Sequence, residues 1–262
     1  MARFITAESA DYLDFKGIEE VDCTFFKALK KELNDRDVAA LLLSNVMYNS
    51  HFYQSAHAFY AEAMDIECTS SLGIICPNTN IEDYFTTIGR ETKRNLKRIR
   101  KNCTKAGMVF RYNSINDDAL SWIFDHQEQR SLAANYSAIK NTVAGEILKQ
   151  QAKANSYNIA WISCNGVCTS GMLIMQDNKT LAVYIQAFDK LYGKYYPSLF
   201  LLTKLTEYAI THGYEYLDLL RGEELYKKRL CNHSFIMKKI LIPVKQSADW
   251  EHIVPYVKKM IE

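Results

Sequence analysis

The sequence has few residues that interrupt regular structure, since proline occurs four times and glycine ten times in 262 residues. Neither residue gathers with serine into a linker-like stretch, and no segment repeats or is of low complexity. The chain is therefore expected to fold as one large domain or two small ones. Hydrophobic residues at 48% and charged residues at 24% are usual for a folded protein with a sizeable core.

An excess of one charge is also missing. Lysine and arginine number 32 against 30 aspartate and glutamate residues, which gives a net charge of +2. This balance gives no overall reason to expect a nucleic acid or an anionic membrane as the partner. Any basic binding site must be confined to one part of the surface.

Leader and membrane-spanning segments are not indicated either. The start, "MARFITAESADYLDF", has no apolar core behind a basic end, which a signal peptide requires. The most apolar helical candidate, "SLFLLTKLTEYAI", is too short to span a bilayer and contains Lys204 and Glu207. We therefore predict a cytoplasmic protein without a transmembrane segment.

The motifs of several enzyme classes and metal sites are absent. The sequence has no GxSxG, HExxH or GxxxxGK[ST] motif, and its six histidines are not at metal-ligating spacings. The seven cysteines are scattered, and the closest pair, Cys164 and Cys168, lacks the CxxC spacing of a redox site. The sequence therefore predicts reduced thiols and no metal.

Apolar residues recur at helical and strand periods along the whole chain. In the first half they predict strands at "DYLDF", "VAALLLSNV", "TSSLGIICP" and "MVFRYN", and helices near 23–33, 52–64, 90–107, 117–130 and 142–154. In the second half they predict a hairpin across Asn165 and Gly166, because both residues tolerate positive φ. There follow a strand "TLAVYIQAF", a loop "DKLYGKYYP", a helix 197–212, a strand "YEYLDLL", a short helix "EELYKKRL", a strand "SFIMKKILI" and a terminal helix "ADWEHIVPYVKKM".

This order resembles the acyl-CoA-binding half of the GNAT acyltransferase superfamily. Two stretches, "RETKRNLKRIRKNCTKAGMVFRY" and "YPSLFLLTKLTEYAITHGYEYLDLLRGEELYKKRL", look like the CelD-type acetyltransferases of bacterial polysaccharide gene clusters. Those proteins are relatives of the Fem-type peptidoglycan aminoacyltransferases. The resemblance covers roughly 11–242, and it departs from the usual pattern at Ser198, where the branch has glycine, and in a short N-terminus.

The resemblance implies an α/β GNAT fold with a central mixed sheet flanked by helices. It further implies an acyl-CoA-binding lobe over residues 140–262. Residues 1–139 are then expected to form a reduced GNAT-like lobe on the acceptor side.

A donor site is expected at the start of the helix that begins at Pro197. Backbone N–H groups at a helix N-terminus bind pyrophosphate, and the helix dipole adds favourable potential. Gly193 would permit an unusual backbone turn, Ser198 leaves room, and Lys190 and Lys194 would pair with phosphate oxygens. The alternative is a loop that merely begins a core helix.

Catalytic residues are expected in "YLDLLRGEELYKKRL", which covers 216–230. By resemblance Tyr226 is the general acid that protonates the departing CoA thiolate, and the alternative is a tyrosine that only packs. Asp218 would accept a proton from the acceptor, unless it forms a structural ion pair with Arg221. Arg221 and Lys227 are the further candidates for substrate contact.

A basic helix over 90–107 is the other notable feature. Thr92, Leu96, Ile99 and Cys103 form one narrow stripe, so the many cationic residues must cover the rest of the surface. Arg94 and Arg98, one turn apart, are predicted to hold an anionic acceptor. The alternatives are a solvated charged face and a tRNA-binding helix.

The predicted activity is acyl transfer from acetyl-CoA or another acyl-CoA to an amine or hydroxyl. The acceptor would be an amino sugar, a polysaccharide precursor or an amino acid, and no nucleic acid partner is expected. Two alternatives of other classes stay open, namely a Fem-type transferase that uses aminoacyl-tRNA and a catalytically silent binding protein.

Overall fold

A computed structural model describes residues 2–3, 23–48, 50–114, 117–133, 150, 157–177 and 179–244. Its contacts divide the chain into two compact units, one formed by 1–71 with 235–262 and the other by 72–234. The predicted lobe boundary between residues 139 and 140 lies outside the described residues and stays a prediction. The compact units follow a different division, because the C-terminal part of the chain belongs with its beginning.

In its described residues, the first unit contains a small sheet and two helices. Its elements are β1 (Ala2–Arg3), α1 (Cys23–Asp35), β2 (Ala40–Met47), α2 (His51–Phe59), most of β3 (Met64–Ile75) and most of β9 (His233–Pro243). The strand order is β1-β2-β9-β3, with β1 parallel and β9 antiparallel to β2. The helix predicted from Cys23 and the strands "VAALLLSNV" and "SFIMKKILI" are confirmed. The predicted strand "DYLDF" and the terminal helix lie outside the described residues.

Aromatic packing holds the helices of the first unit together. Phe26 of α1 is buried, and its ring lies 5.7 Å from Phe52 and 5.5 Å from Phe59 of α2. The Ser50 hydroxyl accepts the Tyr53 N–H at 3.1 Å and so caps the start of α2. The burial of large rings supplies most of the favourable free energy of this packing.

The second unit contains the larger sheet. Its elements after β3 are α3 (Ile81–Thr87), α4 (Arg90–Lys105), β4 (Met108–Ser114), α5 (Asp117–Ala133), β5 (Tyr157–Cys164), β6 (Val167–Asp177), β7 (Thr180–Phe188), a 3₁₀ helix (Lys190–Tyr195), α6 (Pro197–Thr211), β8 (Tyr216–Arg221) and α7 (Leu225–Leu230). The strand order is β3-β8-β7-β6-β5-β4, in which β4 to β7 are antiparallel and β8 is parallel to β7. This mixed sheet flanked by helices confirms the predicted fold class.

Local sequence signals explain several of these elements. Asn165 and Gly166 have φ of 50° and 81°, so the predicted tight turn joins β5 and β6. Gly107, with φ of 71°, follows the end of α4, and Gly213, with φ of 73°, follows α6. The helix predicted near 142–154 lies outside the described residues. Within the described part of the chain, no helix is long and apolar enough to cross a membrane.

Two core clusters cover opposite faces of the second unit's sheet. Leu173 and Ile174 are neighbours on β6 and belong to different clusters, as alternation along a strand requires. The cluster that contains Ile174 packs against α4 and α6, whereas the cluster that contains Leu173 packs against α5. The side chains that reach the sheet from the two sides are therefore distinct sets.

Candidate functional site

Strands β7 and β8 separate soon after they begin. Their parallel pairing covers Thr180 to Ala182 on β7 and Tyr216 to Asp218 on β8. Beyond these pairs β7 continues to Phe188 and β8 to Arg221 without further pairing to each other in the described register. The structure therefore has an opening between two parallel strands, and Asp218 occupies the last paired position of β8.

A bulge lies next to this opening. The β6–β7 register shifts between Leu173 and Ile174, which leaves Tyr184 as the extra residue of β7. The shift exchanges the faces of β7, because Val183 belongs to the cluster under α6 and Ile185 to the cluster under α5. Bulges reorient backbone groups, so the N–H and C=O directions of β7 change where β8 leaves it.

Helix α6 begins with the predicted proline. Pro197 is buried at the first helical position, where its missing N–H has no partner to lose. Tyr196 precedes it in the left-handed region, with φ of 56° and ψ of 53°. Its carbonyl accepts the N–H groups of Leu199 and Phe200, both at 3.1 Å. The Cys103 thiol of α4 donates to the Tyr195 carbonyl at 3.3 Å, which ties α4 to the residues before α6.

The segment before α6 is a 3₁₀ helix, whereas the sequence predicted a loop. Its first turn is capped by Asp189, whose Oδ1 accepts the Leu191 N–H at 2.9 Å. The unusual backbone predicted at Gly193 is wrong, since the described glycines with positive φ are at other positions. That conformation occurs at Tyr196 instead. A Cβ added to Gly193 would have no neighbour within 4 Å, so open space lies beside this glycine.

The remaining predicted donor residues differ in exposure. Lys190 and Lys194 are exposed, and the Lys194 ammonium lies 5.0 Å from the Tyr195 ring centroid. Ser198 is half-buried, and its hydroxyl oxygen lies 3.4 Å from that of Ser170. Ser170 is fully buried on β6 and donates to the Ala187 carbonyl at 2.9 Å. Sequence reasoning did not single out Ser170, because a serine inside an apolar strand has no distinctive spacing.

A tight corner follows β8. Leu220 has φ of 60°, which is rare for a residue with a branched apolar side chain, and it is 3% exposed. Asp218 is 4% exposed, and its Oδ1 accepts the Leu220 N–H at 2.8 Å. The predicted alternation places Leu217 and Leu219 in the core cluster under α6, and the corner adds Leu220 to the buried residues. Asp218 therefore holds the backbone of the corner in a conformation that leucine alone disfavours.

Lys227 is buried beneath the same corner. Its side chain is 6% exposed, and its ammonium donates to the Arg221 carbonyl at 2.6 Å and the Leu220 carbonyl at 3.4 Å. The third contact of the ammonium is Glu224 Oε2 at 3.2 Å. An ammonium has three N–H donors, and these three acceptors match them. All three donors of Lys227 are thus directed to the protein itself, and the substrate contact predicted for this lysine stays a prediction.

The short helix α7 is also held at its C-terminal end. The Tyr84 hydroxyl donates to the Leu230 carbonyl at 2.8 Å, and Asn232 accepts the Ile75 N–H at 2.8 Å. Tyr226, on the first turn of α7, is half-buried and packs against the cluster under α6. Arg221 is half-buried at the end of β8. The catalytic role of Tyr226 stays a prediction, but its backbone is fixed on both sides.

A cavity of about 620 Å³ lies at the start of α4. The residues that line it come from the first two turns of the helix: Arg90, Glu91, Lys93, Arg94 and Lys97. Lys97 is paired with Glu82 at 2.6 Å, whereas Arg90, Lys93 and Arg94 have no ion-pair partner within the described ranges. Of the two predicted arginines the cavity therefore contains Arg94, while Arg98 donates to the Asn95 side chain at 2.8 Å.

The predicted buried stripe of α4 is confirmed. Leu96, Ile99 and Cys103 are buried, and Thr92 is half-buried beside them. Burial raises the pKa of the Cys103 thiol to about 11, with a further contribution from nearby Cys164. This thiol is therefore protonated and unreactive at neutral pH. The described residues contain no group of three or more His, Cys, Asp or Glu side chains arranged to hold a metal ion.

Solved structures share this fold at low sequence identity. FemX aligns with a TM-score of 0.65 and 8% identity, over 90% of this chain and 78% of that one. The C-terminal domain of a putative lysylphosphatidylglycerol synthetase from Agrobacterium fabrum aligns with a TM-score of 0.62 and 10% identity, over 91% and 77%. L-PGS from Bacillus licheniformis aligns with a TM-score of 0.61 and 12% identity, over 91% and 78%. No curated protein sequence matches the chain.

A family model also matches the sequence itself. The family described as "Acetyltransferase (GNAT) domain" matches residues 90–228, which is more than half of the 262 residues. The matched range begins at α4, includes the separating strands β7 and β8, and ends within α7. The chain therefore belongs to the GNAT acetyltransferase-domain family.

Proposed function

We propose that the protein transfers an acyl group, in the first instance acetyl, from a CoA thioester to an amine or hydroxyl. The observation that supports this most is the separation of β7 from β8 beside the N-terminus of α6. A thioester is flat and narrow, and it fits an opening between two strands whose backbone groups are not used by each other. The CelD-type branch and a polysaccharide precursor as acceptor belong to this proposal.

The pyrophosphate of CoA would lie at the start of α6. The positive end of the helix dipole favours an anion there, and Lys190 and Lys194 add two exposed cations close by in sequence. Open space beside Gly193 lets a phosphate approach the backbone. Ser198 offers a hydroxyl next to the same helix end.

The thioester carbonyl would lie between the strands, near Ala182 and the bulge at Tyr184. Negative charge develops on its oxygen when the acceptor attacks. Backbone N–H groups of β7 beyond Ala182 are not directed into a ladder with β8, so they are the proposed donors to this oxygen. Because such donors are fixed before the reaction begins, they stabilise the transition state without reorganisation.

Two side chains would move the protons. Asp218, at the last paired position of β8, accepts the proton that the attacking amine or hydroxyl loses. The new bond to the acyl carbon forms, the carbon–sulfur bond breaks, and Tyr226 gives its phenolic proton to the CoA thiolate. The proton from Asp218 later returns to the tyrosinate through solvent, which restores both residues.

The acceptor is proposed to be anionic. The cavity at the start of α4 contains Arg90, Lys93 and Arg94, and each has its cationic group available within the described part of the chain. Guanidinium groups bind phosphate and carboxylate oxygens in pairs, and they select such acceptors over neutral ones. A sugar precursor that carries phosphate meets this requirement, and so does an amino acid through its carboxylate.

An aminoacyl-tRNA donor is the second candidate. The observation in its favour is that α4 has eight lysine and arginine residues and one acidic residue, Glu91. Such a helix could contact an RNA backbone, and binding of that kind weakens steeply as salt increases. The same enzyme fold would then use a different carrier for the acyl group.

Ligand binding to the intact protein separates the two candidates. We expect CoA and acetyl-CoA to raise the melting temperature and to protect the amides of residues 193–201 from hydrogen exchange. An aminoacylated RNA minihelix at the same concentration should do neither at 0.15 M salt. Protection by the minihelix without protection by CoA would replace the first candidate with the second, and no effect of either ligand would contradict both.

A further inference from the structure

The corner after β8 contains a buried cation whose contacts are all with the protein's own corner. Lys227 is 4% exposed as a residue, and its ammonium contacts the carbonyls of Leu220 and Arg221 and the carboxylate of Glu224. A buried ammonium is costly unless every donor has an acceptor. Here two of the acceptors are consecutive backbone carbonyls of a strained corner, so Lys227 stabilises the backbone conformation of that corner.

The carbonyl directions depend on the conformation of Leu220. Its φ of 60° lies outside the extended region of a strand, and Gly222 follows with φ of 113°. On one side of this turn Asp218 accepts the Leu220 N–H, and on the other side Lys227 binds the Leu220 and Arg221 carbonyls. Asp218 therefore holds the peptide unit that precedes Leu220, and Lys227 holds the two peptide units that follow it.

Glu224 completes the arrangement. A Cβ added to Gly222 would collide with the Glu224 carboxylate, so this glycine is what allows the carboxylate to reach Lys227. Lys227 lies on α7, and its ammonium reaches back to the strand that precedes the helix. The contact therefore fixes the first turn of α7, where Tyr226 lies, against the end of β8.

We propose that Lys227 is a positioning residue, which holds the corner between β8 and α7 so that the Tyr226 hydroxyl is presented to the departing thiolate. The inference rests on the proposed function for the role of Tyr226. The holding of the corner itself rests on the contacts of Lys227 alone. Lys227 acts through the backbone and touches neither the donor nor the acceptor.

The neighbouring Lys228 supplies a matched control. It lies on the same helix, but its side chain is 51% exposed and pairs with Glu223 at 2.6 Å on the surface. Replacing Lys227 or Lys228 with methionine removes one positive charge from adjacent positions and keeps a similar length. Any effect specific to Lys227→Met is then due to its buried contacts.

The test uses full-length protein with 3-fluorotyrosine incorporated at position 226 and observed by ¹⁹F NMR. The wild type and Lys228→Met should each give one sharp resonance. Lys227→Met should broaden or split it, and should speed hydrogen exchange at least tenfold for the amides of residues 220–225. CoA affinity should change less than twofold, because the donor residues at the start of α6 are untouched.

The outcomes are distinguishable from those of the proposed function. An unchanged fluorine signal and unchanged exchange in folded Lys227→Met would overturn the positioning role, as would a loss of CoA affinity with the corner intact. If wild-type protein does not bind CoA, the proposed donor fails, but the fluorine and exchange measurements still decide whether Lys227 holds the corner. If Lys227→Met does not fold, Lys227→Arg is used instead. A ¹⁹F resonance of Lys227→Arg that is as sharp as that of the wild type supports a cationic contact at the corner, and a broadened one contradicts it.

Discussion

Asp218 has two separable features, a charge and a hydrogen-bond acceptor, and two substitutions divide them. Asp218→Asn removes the charge but keeps a carbonyl oxygen that can accept the Leu220 N–H, now at 2.8 Å from Oδ1. Asp218→Ala removes both. If Asp218 is the base of the transfer, the asparagine variant should fold but lose most of its activity.

The magnitudes follow from burial. Leu220 is 3% exposed, so its N–H has no access to water when Asp218→Ala removes the acceptor, and an unsatisfied buried donor costs about 1–3 kcal/mol. In Asp218→Asn the charged acceptor becomes a neutral one, for which the loss is about 1 kcal/mol. The alanine variant is therefore expected to lose up to about 2 kcal/mol more than the asparagine variant. A domain of this size loses roughly 2–4 °C of melting temperature per kcal/mol, so the alanine variant should melt up to about 8 °C lower.

The effect of Asp218→Asn on the reaction rate is expected to be much larger than its effect on stability. Loss of a general base typically lowers the rate by about 10²–10⁴-fold, and the loss should appear in kcat. The assay follows release of the CoA thiol with an acceptor found by screening amino sugars and amino acids. Wild-type kcat in folded Asp218→Asn would remove the base role, and Asp218 would then only hold the corner.

Three further predictions concern other residues. Tyr226→Phe keeps the packed ring but removes the proton donor, so kcat should fall by about 10²-fold while CoA affinity stays intact. This is the low end of the usual range, because a thiolate is a tolerable leaving group. An unchanged kcat would exclude Tyr226 as the acid. Arg94→Gln should raise the acceptor KM, while Lys101→Gln on the same helix should not. If the two variants have equal KM values, this part of α4 is only a solvated charged face. In the first unit, burial raises the pKa of Asp65, but hydrogen bonds from Tyr53 and Lys238 outweigh it and lower the pKa overall. A carboxyl group with a lowered pKa stabilises the fold at pH values above its unfolded pKa of about 3.9, and this stabilisation is lost as the pH falls through the folded pKa. Asp65→Asn should therefore melt below wild type at pH 7, and the difference in melting temperature should shrink below pH 4. A difference that does not change with pH would contradict this.

Elements with a strong local signal could be predicted from sequence. The stripe of α4, the Asn165-Gly166 turn and the proline at the start of α6 each depend on residues within one or two turns of one another. The helix predicted between the strands "TLAVYIQAF" and "YEYLDLL" favours their parallel pairing, because parallel neighbours need a long crossover connection. Helix α3 was missed since it has seven residues and its apolar side chains are too few to show a period.

The candidate site was predictable only in its outline. The positions of Asp218 and Tyr226 in the chain identified the corner, but the contacts of Lys227 depend on where two carbonyls point. Those directions follow from φ of 60° at Leu220, and nothing in a leucine side chain favours that value. For the same reason the sequence predicts the unusual backbone turn at Gly193, whereas the residue with positive φ is Tyr196. Sequence indicates where glycine could adopt such a conformation, and tertiary contacts decide which residue does.

Gly73 has no side chain that could take part in catalysis, yet it is expected to be as intolerant of substitution as a catalytic residue. It lies on β3, and a Cβ added there would collide with the Tyr216 phenol and would lie 2.8 Å from the Leu217 carbonyl oxygen. The backbone carbonyl cannot move aside without shifting β8, the strand that ends at the corner. In a saturation mutagenesis screen scored by activity, Gly73 would therefore tolerate substitution as poorly as Asp218. Only a parallel measurement of protein abundance would separate the two, since variants at Gly73 should be lost from the cell and Asp218→Asn should accumulate.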